Sequence, residues 1–291
     1  MELMKPISLF ESGNSNGSVS LSAIINGEDI MGVSSLDFES LISVMRRGGW
    51  PEAIKMDDDK KYDVSRDYVE DLLNEKIQDK NKVKMRRVLE NISRNISRSV
   101  SKVKLARDSG VSRPTLDDYL NTLEKLYILE YIPATNLNLR SKTPLRVSPK
   151  LEFVDPSIVT ATLNLKRDDL VNDLRFMGFI FENMCMRDLK IYADAIDARL
   201  SYYRDKNDFE VDCILETANG KWGAIEIKLG AGEIPSAVNN LTKFRDKVDT
   251  DKYGEPAFLM VLTGADYSYK RDDGIYVVSI GTLKNFGTTD W

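Results

Sequence analysis

Histidine is absent from this 291-residue chain, and cysteine occurs twice, at Cys185 and Cys213. Without histidine there is no Ser-His-Asp or Cys-His nucleophile, no imidazole base and no imidazole metal ligand. Two cysteines cannot build a zinc cluster, and both lie in apolar patterns that suit buried free thiols in a reducing cytoplasm. Long apolar runs are also missing. Stretches such as Ala257 to Leu262 fall far below the roughly 20 residues that span a bilayer, so no membrane partner is expected. No basic segment with an apolar core opens the chain as a secretory signal would. A Gly-x-x-x-x-Gly-Lys-Ser/Thr phosphate cradle occurs nowhere, so no ATP site is expected. What remains for chemistry is carboxylates, lysines, hydroxyls and a metal held by oxygen, which suits Mg²⁺ or Mn²⁺.

The formal net charge is −5, yet Lys76 to Arg113 holds twelve basic residues against Asp79, Glu90 and Asp108. Such asymmetry marks either a polyanion-binding face or a solvated helix surface. Candidate contacts to a nucleic-acid backbone are Lys84, Arg86, Arg87, Arg94, Arg98, Lys102, Lys104 and Arg113.

The hydrophobic pattern predicts an α/β protein in three segments. Residues 1–77 read as helical, with a helix over Ser35 to Met45 ended at Gly48-Gly49-Trp50-Pro51, and another over Tyr62 to Ile77. Residues 78–165 read as a winged helix-turn-helix: helices at Val83–Ile96, Ser101–Gly110 and Arg113–Leu126, a strand from Tyr127 to Ile132, a wing tip within Arg140–Pro149, and a strand at Leu151–Val154. Asp117, Asp118 and Glu124 on the helix after the turn, Arg113–Leu126, oppose phosphate, which favours a structural or protein-docking role over base reading. Residues 166–291 begin with a helix over Leu170–Leu189. Strands follow at Leu200–Tyr203, Glu210–Leu215, Trp222–Leu229, Ala257–Leu262 and Ile275–Ser279, with a helix over Pro235–Lys247.

Within this last segment, Asp212 lies on one strand and Glu226 and Lys228 on the next. A strict two-residue turn at Asn219-Gly220 would pair Asp212 with Ile227 and set apolar against charged residues along the hairpin. A one-residue slip flips every side chain, so an odd-length loop, such as Asn219-Gly220-Lys221, is expected. Asp212, Glu226 and Lys228 then share one face. Two carboxylates side by side repel unless a cation lies between them. With Mg²⁺ or Mn²⁺ as cofactor, Asp212 and Glu226 become ligands and Lys228 can orient a water or a phosphate. Glu182, on the preceding helix, can hold the metal's water shell. Ordinary salt bridges on an exposed sheet edge explain the same spacing.

Glu182, Asp212 and Glu226-x-Lys228 resemble the PD-(D/E)XK, or restriction-endonuclease-like, motif. Pro6-Ile-Ser-Leu-Phe-Glu11, Gly48-Gly-Trp-Pro-Glu52, Asp155-Pro156, Gly178-x-x-Phe181-Glu182, Tyr203-Arg204-Asp205, Glu210-Val-Asp212 and Ile225-Glu226-Ile-Lys228 occur in that order. Together they resemble the C-terminal part of prokaryotic AAA-type P-loop ATPases, over essentially the whole chain. The resemblance implies a helical and winged-helix part followed by a nuclease-like α/β domain with a central mixed sheet. It implies Glu182, Asp212, Glu226 and Lys228 as catalytic residues, with Asp212 and Glu226 as the metal ligands. The chain is then a C-terminal fragment, without ATPase activity of its own, whose partners are DNA and a separate ATPase core or other protein. Its expected function is Mg²⁺-dependent DNA phosphodiester hydrolysis or, alternatively, non-catalytic DNA or protein binding that regulates the ATPase.

Overall fold

The computed structural model describes residues 5–57, 59–77, 80–135 and 148–285. Among them no helix is long and apolar enough to cross a membrane. Contacts divide the described residues into a helical unit (5–7, 39–132 and 148–187) and a sheet unit (8–38, 133–135 and 188–285). The fold is mixed α/β, with the helical part first and the sheet towards the C-terminus.

In the helical unit, each of three helices is started by a polar side chain that takes an otherwise orphaned amide. Asn81 accepts from Lys84 N at the head of Lys82–Arg94, Ser101 from Lys104 N before Lys102–Asp108, and Ser112 from Thr115 N before Arg113–Lys125. Met85, Val88, Leu89 and Ile92 are buried at helical spacing, as are Leu116, Tyr119, Leu120 and Leu123. Gly110 closes the middle helix at a φ of +65°, where a side chain would be strained. The strands Leu129–Ile132 and Lys150–Phe153 then pair antiparallel. Most of the expected wing tip, residues 140–147, lies outside the described residues.

Two predicted helices differ in detail. The Tyr62–Ile77 segment is a regular α-helix only over Asp63–Asp71, then widens into a π-helical turn at Leu72–Lys76. Leu72, Leu73 and Ile77 are all buried, and a wider turn lets residues one and five apart share the core. The Leu170–Leu189 prediction resolves into Arg167–Asn172 and a longer helix, Leu174–Ala195. They part at Asp173, whose carboxylate accepts from Phe176 N at 2.9 Å and so caps the second helix.

Several of the sequence motifs meet in one polar knot of the helical unit. Buried Asp155 accepts from Gly49 N (2.8 Å), Arg187 Nη1 (2.9 Å), Ser157 N (2.9 Å) and Ser157 Oγ (2.6 Å). Trp50 Nε1 donates to Ser157 Oγ at 2.8 Å, and Ile7 N to the Gly49 carbonyl at 2.7 Å. The approach leaves no room for side chains: a Cβ on Gly48, where φ is +75°, would lie 2.3 Å from Asp155 Oδ1. The Gly-Gly-Trp-Pro and Asp-Pro motifs thus hold the fold.

In the sheet unit, seven strands among the described residues run in the order Met31–Val33, Tyr267–Lys270, Tyr276–Ser279, Phe258–Thr263, Trp222–Lys228, Glu210–Thr217, Ala198–Arg204. Trp222–Lys228 and Phe258–Thr263 are parallel and adjacent, linked through the helix Ile234–Lys247. That helix buries Ala237, Leu241 and Phe244 over Ile214, Trp222, Ala224, Leu259 and Val261. Each large apolar side chain so buried stabilises by about 1.5–3 kcal/mol. Ile214, which breaks the alternation of its strand, is explained by this layer: it pairs with Ala224 beneath the helix.

Candidate functional site

The hairpin register decides the site. Cys213 pairs with Ile225, Leu215 with Gly223 and Glu216 with Trp222, while Thr217 N donates to the Lys221 carbonyl at 2.9 Å. The loop is therefore of odd length, Ala218-Asn219-Gly220, one residue earlier than expected, with Gly220 at a φ of +82°. This register brings Asp212, Glu226 and Lys228 together.

Lys228 Nζ lies 2.8 Å from Glu226 Oε2 and 3.2 Å from Asp212 Oδ2. Ile227 N also donates to Asp212 Oδ2, at 2.8 Å. Glu226 is 3% exposed on an interior strand, which replaces the exposed sheet edge with a mostly buried charge cluster. Glu226 and Lys228 stand at the carboxyl end of their strand, the end at which open α/β sheets place ligands. Burial, then the charge of Asp212, pushes the Glu226 carboxyl above its ordinary range against the pull of Lys228. Burial works against the Lys228 ammonium, but Asp212 and Glu226 outweigh it and hold the amine protonated. With all three groups ionised the cluster keeps net negative charge.

Asn240 completes it, and sequence reasoning missed this residue. From the Ile234–Lys247 helix its Nδ2 donates to Glu226 Oε1 at 2.6 Å and to the Glu210 carbonyl at 2.7 Å. The available signal was its place beside the buried row Ala237, Leu241 and Phe244, where a polar residue faces the margin of the sheet.

The donor set suits a small hard cation. Among the described residues no group of three or more His, Cys, Asp or Glu side chains converges, so a site ligated entirely by protein side chains is not provided. Mg²⁺ and Mn²⁺ need less: Mg²⁺ keeps several waters and binds through one or two carboxylates. Asp212 and Glu226 meet that requirement, with Lys228 now at the point where their charges converge.

Glu182 belongs to the helical unit, 8% exposed, with Lys150 Nζ 2.9 Å from its Oε1. Nearby Glu152 is buried, accepts from Ser97 Oγ and Asn183 Nδ2 at 2.9 Å each, and leaves its Oε1 without a partner. Burial, then the charge of Glu182, pushes the Glu152 carboxyl up to about 8. Neither Lys150 nor Glu152 was singled out by sequence, because a lysine and a glutamate on a short strand read as solvent-facing.

The basic candidates also lie in the helical unit. Arg86 pairs with Glu70 at 2.8 Å, Lys102 and Arg113 share Asp117 at 2.9 and 2.8 Å, and Arg98 stands over the Phe179 ring. Lys84, Arg87, Arg94 and Lys104 are exposed and in no ion pair among the described residues. Lys84, Arg87 and Arg94 fall three and seven residues apart, on one face of their helix. Asp117 and Asp118 are engaged by Lys102, Arg113 and Lys80. Cys185 and Cys213 are buried thiols, not joined in a disulfide.

Searches of curated proteins and of solved structures return no match. Residues 38–169 match a domain of unknown function, DUF8612. Residues 177–283, which hold Glu182, Asp212, Glu226, Lys228 and Asn240, match a second domain of unknown function, DUF4143, a domain found at the C-terminus of AAA-ATPase-like proteins.

Proposed function

We propose that the sheet unit is a divalent-cation-dependent phosphodiesterase of the restriction-endonuclease-like kind, acting on DNA in association with an AAA-type ATPase core. The observation that carries this reading is the convergence of Asp212, Glu226 and Lys228 at the carboxyl end of an interior strand. Asp212 and Glu226 would hold Mg²⁺ or Mn²⁺, which when bound supplies a Lewis acid and lowers the pKa of its water. Lys228, held protonated, offers a fixed positive charge to a phosphate oxygen. In the helical unit, read as a winged helix, Lys84, Arg87, Arg94 and Lys104 offer cations for backbone phosphates. The match over 177–283 supports the association with an ATPase core.

One observation favours the second reading, a non-catalytic module that binds DNA or protein and regulates the ATPase. Lys228 already pairs with both carboxylates where a cation would bind, and Glu226 is nearly inaccessible. A plasmid-nicking assay with Mg²⁺ or Mn²⁺ separates the two. The catalytic reading expects nicking by the native chain that is lost in Asp212→Asn and Lys228→Ala. No nicking from the native chain despite metal binding supports the regulatory module, and nicking untouched by both substitutions indicates contamination or a different site.

A further inference from the structure

We propose that Asn240 is a positioning residue of this site, fixing the Glu226 carboxylate so that one oxygen remains directed at a cation. The inference rests on the metal-site reading given above. An amide NH₂ has two hydrogens. Both are used here, one on Glu226 Oε1 at 2.6 Å and one on the Glu210 carbonyl at 2.7 Å. Glu210 and Glu226 stand on neighbouring strands, so a single side chain ties the helix to both walls of the site. The helix itself is anchored by Ala237, Leu241 and Phe244, which places Asn240 where it cannot drift.

The division of labour follows from the two oxygens. Oε1 is committed to the helix, and Oε2 faces Lys228 at 2.8 Å. A donor on Oε1 rotates the carboxylate plane and holds it, which is what a partner outside a metal's own ligands does. Without that donor, Glu226 is free to turn both oxygens onto Lys228, and the ligand geometry is lost. Asn239, the preceding residue, is exposed and makes no such bond among the described residues, so it serves as a control on the same helix.

The test is Mn²⁺ affinity, read from the spectrum of free Mn²⁺, for the native chain, Asn240→Leu, Asn240→Ser and Asn239→Leu, beside thermal melts in chelator. Expected is a 10- to 100-fold weaker affinity in both Asn240 variants, with Asn239→Leu unchanged. Asn240→Ser is the smaller change, should Asn240→Leu fail to fold. A tie between helix and sheet alone would lower the melting temperature in chelator and leave affinity at the native value, and that result overturns the proposal. Native protein that binds no Mn²⁺ overturns the phosphodiesterase reading and this inference with it, a distinguishable outcome.

Discussion

Replacing Lys228 by methionine should destabilise the chain in a way that a divalent cation repairs. The ammonium is the positive charge shared by Glu226 (2.8 Å) and Asp212 (3.2 Å), and those side chains are 4% and 12% exposed. Breaking a buried pair by deleting one partner costs about 3–5 kcal/mol, because the remaining charge is left uncompensated. The Lys228 side chain is 24% exposed, so solvent relieves part of this and the expected loss is about 2–3 kcal/mol. For a chain of this size that lowers the melting temperature by roughly 5–10 °C. Methionine keeps the apolar stem, so lost packing adds little. The assay is thermal unfolding in chelator and over a titration of Mg²⁺ or Mn²⁺. A cation at about 100 times its dissociation constant returns roughly 2.7 kcal/mol. The variant should therefore recover most of its loss, and its shift should exceed that of the native chain, where the ammonium already holds the position. Asp212→Asn combined with Lys228→Met should respond little. The reasoning is refuted if Lys228→Met melts like the native chain in chelator, or if metal shifts the two proteins equally.

Glu152→Gln should flatten the pH dependence of stability. The folded carboxyl is raised to about 8, so its contribution is fully present below the unfolded value near 4.5 and is lost as pH rises through about 8. Denaturant unfolding of the variant should match the native chain near pH 5 and exceed it near pH 8.5, by about 2–4 kcal/mol. Gly48→Ala should cost about 3 kcal/mol or more, through a Cβ 2.3 Å from Asp155 Oδ1, whereas Gly13→Ala, at φ +73° with open space around it, should cost about 1 kcal/mol. Thermal melts of both variants measure the difference between a clash and backbone strain alone. Replacing Lys84, Arg87, Arg94 and Lys104 by alanine should reduce the salt slope of DNA binding by about 3–4, and an unchanged slope places the backbone grip elsewhere.

Local sequence determined much of what is seen. Alternation along Glu210–Leu215 and Trp222–Lys228 admits only an odd-length loop if the apolar residues are to be buried together. Any such loop puts Asp212, Glu226 and Lys228 on a common face, and the observed pairing is one of them. Caps and stripes set the three helices between Lys82 and Lys125 to within a residue or two at their ends. Even the five-residue step from Leu72 to Ile77 encoded a widened turn that a regular-helix reading passed over. Tertiary structure alone decided which distant segments meet. Residues 8–38 supply the edge strand Met31–Val33 of a sheet whose other strands lie after residue 197, a pairing with no local signature in three residues. Lys150 and Glu152 became a buried charge cluster because a helix far along the chain covers their strand and brings Glu182 and Asn183 to them. Asn240 reached Glu226 because a crossover helix must lie back on its sheet. Periodicity reports which face of an element is buried; it carries no information about which element does the burying, and partnership with a charge depends on that choice.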